Sequence, residues 1–354
     1  MRIAQYCQSV FNVSRGTETF VKSISSEISK RCEVHLIAGN GKGTVRGKNL
    51  KTFKFPYLMR SQLPHEIPRE QQYAAECCTF YLNVASHMKR HRYDAIHIHL
   101  PINLMLKSVT RDPILMNFHG GGSIVSYKDL LNTVDADAYC ACSRFIADWA
   151  ARTIKKKVQV VYDGVDPEYF RPMQVKRKDG KTVLLYLGAL LMWKGFDYLL
   201  RAMETVQKKN KNIELWIAGM GNDADKIKGI IKRLGLQNTR MLGYIPQSEV
   251  IRLYNSCDAF VSASPEEPFG ITFVEAMACG KPIIAINNAG PKEIAARGTG
   301  FLAAPRSSAD LAKKILQAAE SDLVRMGEKA RSHVVKNFTW ERTVDSLMKI
   351  YGKI

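Results

Sequence analysis

Residues 262–282 read Ser-Ala-Ser-Pro-Glu-Glu-Pro-Phe-Gly-Ile-Thr-Phe-Val-Glu-Ala-Met-Ala-Cys-Gly-Lys-Pro, and three backbone signals follow one another along them. The β-branched and aromatic run Ala259–Val261 just before predicts the end of a strand. Ser264-Pro265-Glu266-Glu267-Pro268 then interrupts the backbone. Phe269-Gly270 turns it into a helix that runs to Gly280 and stops before Pro282. A strand, a Pro/Gly turn and a helix N-terminus in succession make a site for an anion such as a phosphate, because the first-turn N–H groups and the helix dipole both favour negative charge there. Glu267 falls in the loop and Glu275 about two turns further along. Two carboxylates held apart in this way can accept hydrogen bonds from hydroxyl pairs on two different sugars.

A Glu-x7-Glu pair by itself also fits a capped surface helix with Glu275 in a salt bridge. With the turn Pro265-Glu266-Glu267-Pro268-Phe269-Gly270 and the helix Glu275-Ala276-Met277-Ala278-Cys279-Gly280-Lys281-Pro282 attached, the segment resembles the signature of retaining GT-B glycosyltransferases of family 4. The resemblance implies that Glu275 grips the ribose hydroxyls of a nucleotide and that Glu267 contacts the donor sugar at the catalytic centre. The N–H groups around Phe269, Gly270 and Ile271 would face sugar and phosphates. It further implies an α/β fold of two doubly wound, Rossmann-like domains facing each other across a cleft. Residues 1–168 would form the acceptor side and 169–337 the nucleotide-sugar side, with a helix in 338–354 packing back on the first domain.

Upstream in the same half, Thr182–Leu187 reads as a strand, and Gly188-Ala189-Leu190-Leu191-Met192-Trp193-Lys194-Gly195 is similar to the family's phosphate-contacting loop. Lys194 matches the lysine that pairs with the donor diphosphate. Where the family carries arginine, this chain has Ala189, so neutralisation of the diphosphate falls to Lys194 and to helix N-termini. Ile213–Ala218 is a strand ending in Gly219-Met220-Gly221, which suits close backbone approach to a nucleotide and makes Gly219 a donor contact. A helix follows over Asp223–Leu234. Met241-Leu242-Gly243-Tyr244-Ile245-Pro246 resembles the family segment whose backbone reads the base, which places Tyr244 and Ile245 at the donor. Ile283–Ile286 reads as a strand, Ser308–Glu320 and Val324–Asn337 as helices, and Thr339-Trp340-Glu341 as the start of a last helix.

In the first half, a strand over 3–10, a loop through Ser14-Arg15-Gly16-Thr17, a helix over Glu18–Lys30 and a strand over Val34–Ala38 open a doubly wound sheet. The family carries a Gly-Gly pair in that loop; here Gly16 stands behind Arg15 and is the candidate donor contact. The cluster Gly39-Asn40-Gly41-Lys42-Gly43-Thr44 is no phosphate loop, since Leu36 stands where its first glycine belongs and Gly43 follows the lysine. It predicts instead a flexible basic loop with Arg46, Lys48, Lys51 and Lys54. Residues 55–70 hold three prolines and read as a loop, where such enzymes place an acceptor-binding or membrane-facing element. A helix over Gln71–Arg90 follows.

Ala95–Pro101 is a strand with His97 and His99 on one face. No third ligand is in view, so core packing and a loop-edge histidine are preferred to a metal site. Ile114-Leu115-Met116-Asn117-Phe118 is a buried strand running into His119-Gly120-Gly121-Gly122. His119 matches the family's histidine near the donor sugar and is the second catalytic candidate. Three glycines follow it where the family carries a polar group, which opens the acceptor side. Asp137–Ser143 is a strand with Ser143 as N-cap of the next helix. Val158–Tyr162 closes the first half in Asp163-Gly164-Val165-Asp166, similar to the family's Asn-Gly-Val-Asp with aspartate replacing asparagine. The turn-rich segment Pro167–Lys181, with its run Lys176-Arg177-Lys178-Asp179, suits a linker.

Of the 354 residues, 46% are apolar and 24% charged, an ordinary globular balance. Neither a secretory h-region nor a spanning apolar run is present. The eight cysteines, including Cys77-Cys78 and Cys140-x-Cys142, fit no zinc spacing and read as reduced thiols of a cytosolic enzyme. The net charge of +19 is shared, with 23 basic and 13 acidic residues up to Val165 and 29 and 20 beyond. Such a field serves solubility, or draws polyanions such as an anionic membrane face or an anionic glycan; nucleic acid is disfavoured for want of a recognition module.

The resulting expectation is a retaining transferase. It moves a sugar from a nucleotide-diphosphate donor, UDP-sugar before GDP-sugar, to a glycan or lipid-linked acceptor of a cell-surface glycan pathway. It would work in the cytoplasm, peripheral at the inner face of the plasma membrane. No cofactor or metal is expected, because a helix N-terminus and a lysine can stabilise the leaving diphosphate where a cation would otherwise sit. Front-face attack and a short-lived covalent adduct both remain open. A same-fold epimerase and a non-catalytic basic scaffold are the alternatives; a phosphorylase would need a pyridoxal-binding lysine that the chain does not display.

Overall fold

Short runs of Ile, Leu, Val and Ala with few polar interruptions form strands buried on both faces, the mark of parallel sheets covered by helices. A computed structural model describes residues 1–13, 15–64, 66–175 and 180–354. Ser14 of the first loop and the linker run Lys176–Asp179 lie outside the described residues. The chain divides into two compact units, Met1–Asp163 with Trp340–Ile354, and Gly164–Thr339. The division falls at Asp163 and not at residue 168, since the Val165 N–H donates to the Phe338 carbonyl at 3.0 Å and Val165 bridges Thr339.

The first unit holds β1 (Arg2–Cys7), β2 (Glu33–Gly39), β3 (Leu50–Phe55), β4 (Ala95–Ile98), β5 (Ile114–Phe118), β6 (Ala138–Ala141) and β7 (Gln159–Val160). They form one parallel sheet in the order β3-β2-β1-β4-β5-β6-β7. The second holds β8 (Thr182–Leu187), β9 (Ile213–Ala218), β10 (Thr239–Gly243), β11 (Ala259–Val261), β12 (Ile283–Ile286) and β13 (Gly300–Ala303), in the parallel order β10-β9-β8-β11-β12-β13. Both units are thus doubly wound. Strand order reverses between β1 and β4 and again between β8 and β11, and ligands of such sheets bind beyond the C-terminal strand ends at that reversal.

Helices close over both sheets through apolar faces. In the second unit Leu199, Leu200, Met203 and Val206 of helix Phe196–Lys209 join Leu184, Leu215 and Ile217 in one core with Leu311 and Ile315. Each such fully buried side chain contributes roughly 1.5–3 kcal/mol. In the first unit, Ser143 caps helix Arg144–Ile154 by accepting from the Ile146 N–H. The helix Trp340–Tyr351 belongs to this unit, with Val344, Leu347 and Tyr351 buried.

Several boundaries differ from the sequence expectation. The first strand ends at Cys7 and not at residue 10. The supposed flexible loop over 39–54 contains β3, paired with β2 in the register Val34↔Leu50. Its lysines concealed it: Lys51 and Lys54 sit on an edge strand, where charge blocks further pairing. Lys51 reaches Glu33 at 3.0 Å, and the Lys54 ammonium donates to the carbonyls of Gly41 and Gly43. Of the glycines after His119, Gly122 opens the short helix Gly122–Ser126, and a second short helix, Lys128–Thr133, follows it.

Candidate active site

In the second unit the predicted residues Lys194, Gly219, Tyr244, Ile245, Glu267, Phe269 and Gly270 lie on the connections leaving the C-terminal ends of β8, β9, β10 and β11, and Ile271 opens the helix that follows β11. Backbone contacts hold these loops against one another. Gly188 N–H donates to Ala218 O, Leu190 N–H to Met220 O, and Gly219 N–H to Gly243 O, at 3.1, 2.9 and 2.8 Å. Gly195 follows the single 3-10 turn Met192–Lys194 at φ 82°, and a Cβ there would meet the Ala263 carbonyl oxygen at 2.0 Å. Only glycine lets the β8 and β11 loops approach so closely.

That approach brings Lys194 to Glu267. The ammonium lies 2.8 Å from Oε2, with both side chains mostly buried, and 4.4 Å from the centre of the Trp193 ring. The Glu267 loop is pinned from behind by Gly290 N–H on the Glu267 carbonyl and by the Asn288 amide on the Pro265 carbonyl, both at 2.9 Å. Gly270, at φ 99°, caps helix Ile271–Ala278. The first N–H groups of that helix have no carbonyl within it to bond. Ala189 is exposed, and its carbonyl accepts from the Tyr186 hydroxyl at 2.9 Å. Trp193, Met220 and Tyr244 are large side chains left exposed along the same loops.

Glu275 lies inside the helix, buried, and accepts from the Tyr254 hydroxyl at 2.8 Å. Burial pushes its carboxyl up to about 7, against the opposing pull of that hydrogen bond. Tyr254 is a partner that sequence reasoning missed; it sits in helix Gln247–Asn255 with no signal besides its aromatic character.

The remaining candidates, Gly16 and His119, belong to the first unit. Gly16 is exposed at the start of helix Gly16–Ile28, behind the N-cap Arg15. His119, half-buried just beyond β5, ends a polar ladder. Its Nε2 is 3.1 Å from His99 Nδ1 and 3.3 Å from the Asn117 amide nitrogen. Cys140 donates its thiol proton to Asn117 Oδ1 at 3.3 Å. His97 lies beside His99 with ring centres 4.5 Å apart, and its Nδ1 is 2.7 Å from the Tyr351 hydroxyl. The Phe20 ring meets all three imidazoles edge-on. Burial holds His119 neutral, with its pKa down at about 3, and pushes His97 and His99 well below the usual range. Among the described residues no group of three His, Cys, Asp or Glu side chains is placed to hold a metal ion. A cavity of about 470 Å³ opens elsewhere in this unit, between Arg60, Tyr73 and Tyr127. Arg60 lies over the Tyr73 ring and 2.6 Å from Glu76.

Asp163, in the place of the family's asparagine, is buried with Oδ1 unpartnered among the described residues. Burial raises its carboxyl well above the usual range, which favours the protonated, neutral form, the one that resembles an amide.

Two family models match the chain: "Glycosyltransferase Family 4" over residues 14–169 and "Glycosyl transferases group 1" over 170–333. The uncharacterized glycosyltransferase MJ1178 of Methanocaldococcus jannaschii is 27% identical over 276 residues, 74% of this chain and 76% of that protein. Among solved structures, sucrose-phosphate synthase from Thermosynechococcus elongatus superposes with a TM-score of 0.85 at 19% identity, covering 99% and 98% of the two chains. Anabaena Alr3699/HepE in complex with UDP and glucose superposes at 0.78, also at 19% identity, with both chains fully covered. Matched family models over both units, and a doubly wound sheet in each, place the chain in the family 4, group 1 glycosyltransferases of the GT-B type.

Proposed function

We propose that this glycosyltransferase moves a sugar from a UDP-sugar to a glycan or lipid-linked acceptor with retention at the anomeric carbon. The observation that carries the donor site is the Lys194–Glu267 pair at the strand-order reversal of the second sheet. In this reading the Lys194 ammonium turns to the diphosphate, the helix N-terminus at Gly270–Ile271 supplies N–H groups, and Glu275 takes the ribose hydroxyls through its second oxygen. Glu267, freed from the lysine, then receives a hydroxyl of the donor sugar; His119 is assigned to that sugar on the family resemblance alone. The preference for UDP rests on the likeness to Alr3699/HepE, whose structures hold UDP and UDP-glucose.

Lysine and helix N-terminus stabilise the leaving diphosphate by fixed positive charge, which makes the site self-sufficient without a resident metal. For the acceptor, the cavity beside Arg60, Tyr73 and Tyr127 offers aromatic faces to a sugar ring. The charge of +19 favours an anionic acceptor or the cytoplasmic face of an anionic membrane, to which the enzyme would bind peripherally. No helix among the described residues is long and apolar enough to cross a membrane.

Calorimetric titration with UDP and with GDP, in chelator, tests the donor site. Binding of UDP in preference to GDP supports the reading, and binding of neither moves the chain to a non-catalytic scaffold whose phosphate loop the Ala189 replacement has disabled. Product anomer analysis by NMR then decides retention. Vesicles with and without anionic lipid decide the membrane: equal binding at moderate salt removes it.

A further inference from the structure

The tautomer of His119 follows from two neighbours that do not touch each other's constraints. The Cys140 thiol, kept protonated by burial, donates to Asn117 Oδ1 and so turns the Asn117 N–H2 group toward His119. An amide nitrogen can only donate, so His119 Nε2 must be the acceptor. Separately, His99 Nε2 is buried without a partner among the described residues. A proton there would be an orphaned buried N–H, whereas a proton on Nδ1 has His119 Nε2 to bond at 3.1 Å. Both constraints deliver an N–H to the same nitrogen.

We propose that Asn117 and His99 are positioning residues that fix His119 in a single neutral tautomer, with Nε2 bare and the proton on Nδ1. Nε2 then has its lone pair occupied, so the ring cannot accept a proton from an acceptor hydroxyl. What it presents is an Nδ1–H donor. His119 therefore acts as a hydrogen-bond donor to a ligand oxygen and not as a general base. Phe20, edge-on to the three imidazoles, and Tyr351, bonded to His97, hold the ladder's orientation from behind. The consequence for transfer rests on the placing of His119 at the donor sugar proposed above; the tautomer itself does not.

The test is a two-bond ¹H–¹⁵N correlation of the imidazole rings in the full-length ¹⁵N-labelled protein, with His119 assigned by the loss of its signals in His119→Asn. A proton-bearing shift at Nδ1, a bare shift at Nε2 and no change between pH 5.5 and 8 are expected for His119. A proton on Nε2, or a ring that titrates in that range, overturns the proposal. The double variant Asn117→Asp, His99→Phe removes both donors facing Nε2 and sets a carboxyl acceptor there, and is expected to bring a proton onto Nε2; a folded double variant with the wild-type pattern also overturns it. Turnover of UDP-sugar is read separately. His119→Asn keeps a donor near the Nδ1 position and is expected to hold turnover within about tenfold, while His119→Leu loses about a hundredfold or more. If the tautomer is as stated and His119→Leu turns over normally, the placing of His119 at the sugar falls and the ladder stands.

Discussion

Lys194 Nζ lies 2.8 Å from Glu267 Oε2, although 73 residues separate the two in sequence. Without ligand, the cation proposed for a diphosphate and the carboxylate proposed for a sugar satisfy each other. The pair keeps two mostly buried charges from standing alone, which would cost several kcal/mol each. It also means that a nucleotide must compete for the lysine. Lys194→Ala is expected to weaken UDP binding by about tenfold or more, some 1.4 kcal/mol. Glu267→Gln releases the lysine and is expected to strengthen UDP binding while abolishing sugar transfer. Calorimetry with both variants checks the two directions, and equal weakening in both would show that the pair acts as one structural unit.

Glu275 has its carboxyl raised to about 7 by burial, so near pH 6 most of it is protonated and near pH 8 most is charged. A carboxylate accepts ribose hydroxyls more strongly than a carboxylic acid does. UDP affinity is therefore expected to rise between pH 6 and 8 in the wild type and to lose that slope in Glu275→Gln. Because the folded-state value lies above the unfolded one, burying this group favours its protonated form. Its contribution to the stability of the unliganded protein falls as pH climbs from the ordinary carboxylate range to about 7. Thermal melts of wild type and Glu275→Gln across that window provide the check.

Gly195→Ala forces a side chain into left-handed backbone and into the Ala263 carbonyl. The conformational part alone costs about 1–2 kcal/mol. The variant is expected to unfold at lower denaturant and to bind UDP less tightly, since the loop carrying Lys194 must shift away from Glu267. A denaturation midpoint equal to that of wild type would show that the loops yield without loss.

Burial raises the Asp163 carboxyl well above its usual range and so favours its protonated form. Folding penalises its ionisation, and the penalty grows as pH rises above the ordinary carboxylate range. Asp163→Asn removes it, and is expected to stabilise the protein at neutral pH by about 1–3 kcal/mol. The gain should shrink as pH falls through the ordinary aspartate range of about 4 and vanish below it, where the wild-type carboxyl is neutral in the unfolded chain as well. Denaturant melts at about pH 3 and pH 7 distinguish this from a pH-independent change in packing.

Much of this architecture was legible because parallel strands carry their signal in continuous apolar runs: β1, β2, β5, β8, β9 and β12 all stand out. β3 did not, because an edge strand protects itself with the same lysines that suggest a solvated loop. The helix over Gln247–Asn255 and strand β13 were passed over for a related reason, since Gly300–Ala303 is short and only partly buried. At the site, Glu267, Lys194 and Gly270 were readable as a local pattern of turn, charge and helix start. Their pairing was not, because it depends on two glycine-bearing loops from different strands. The ladder through Tyr351, His97, His99 and His119 joins segments up to 254 residues apart, and only the period-two placement of His97 and His99 hinted at it.

The loops beyond β8, β9, β10 and β11 are bonded main chain to main chain at Gly188 with Ala218, Leu190 with Met220 and Gly219 with Gly243, and Gly195 packs closely against the Ala263 carbonyl. The side chains projecting from those same loops, Ala189, Trp193, Met220 and Tyr244, are exposed and bear none of that fastening. The frame of these loops and the side chains they present are therefore encoded by different atoms. Substitutions at the exposed positions can change what the loops offer to a ligand, one side chain at a time, while the main-chain frame stays in place.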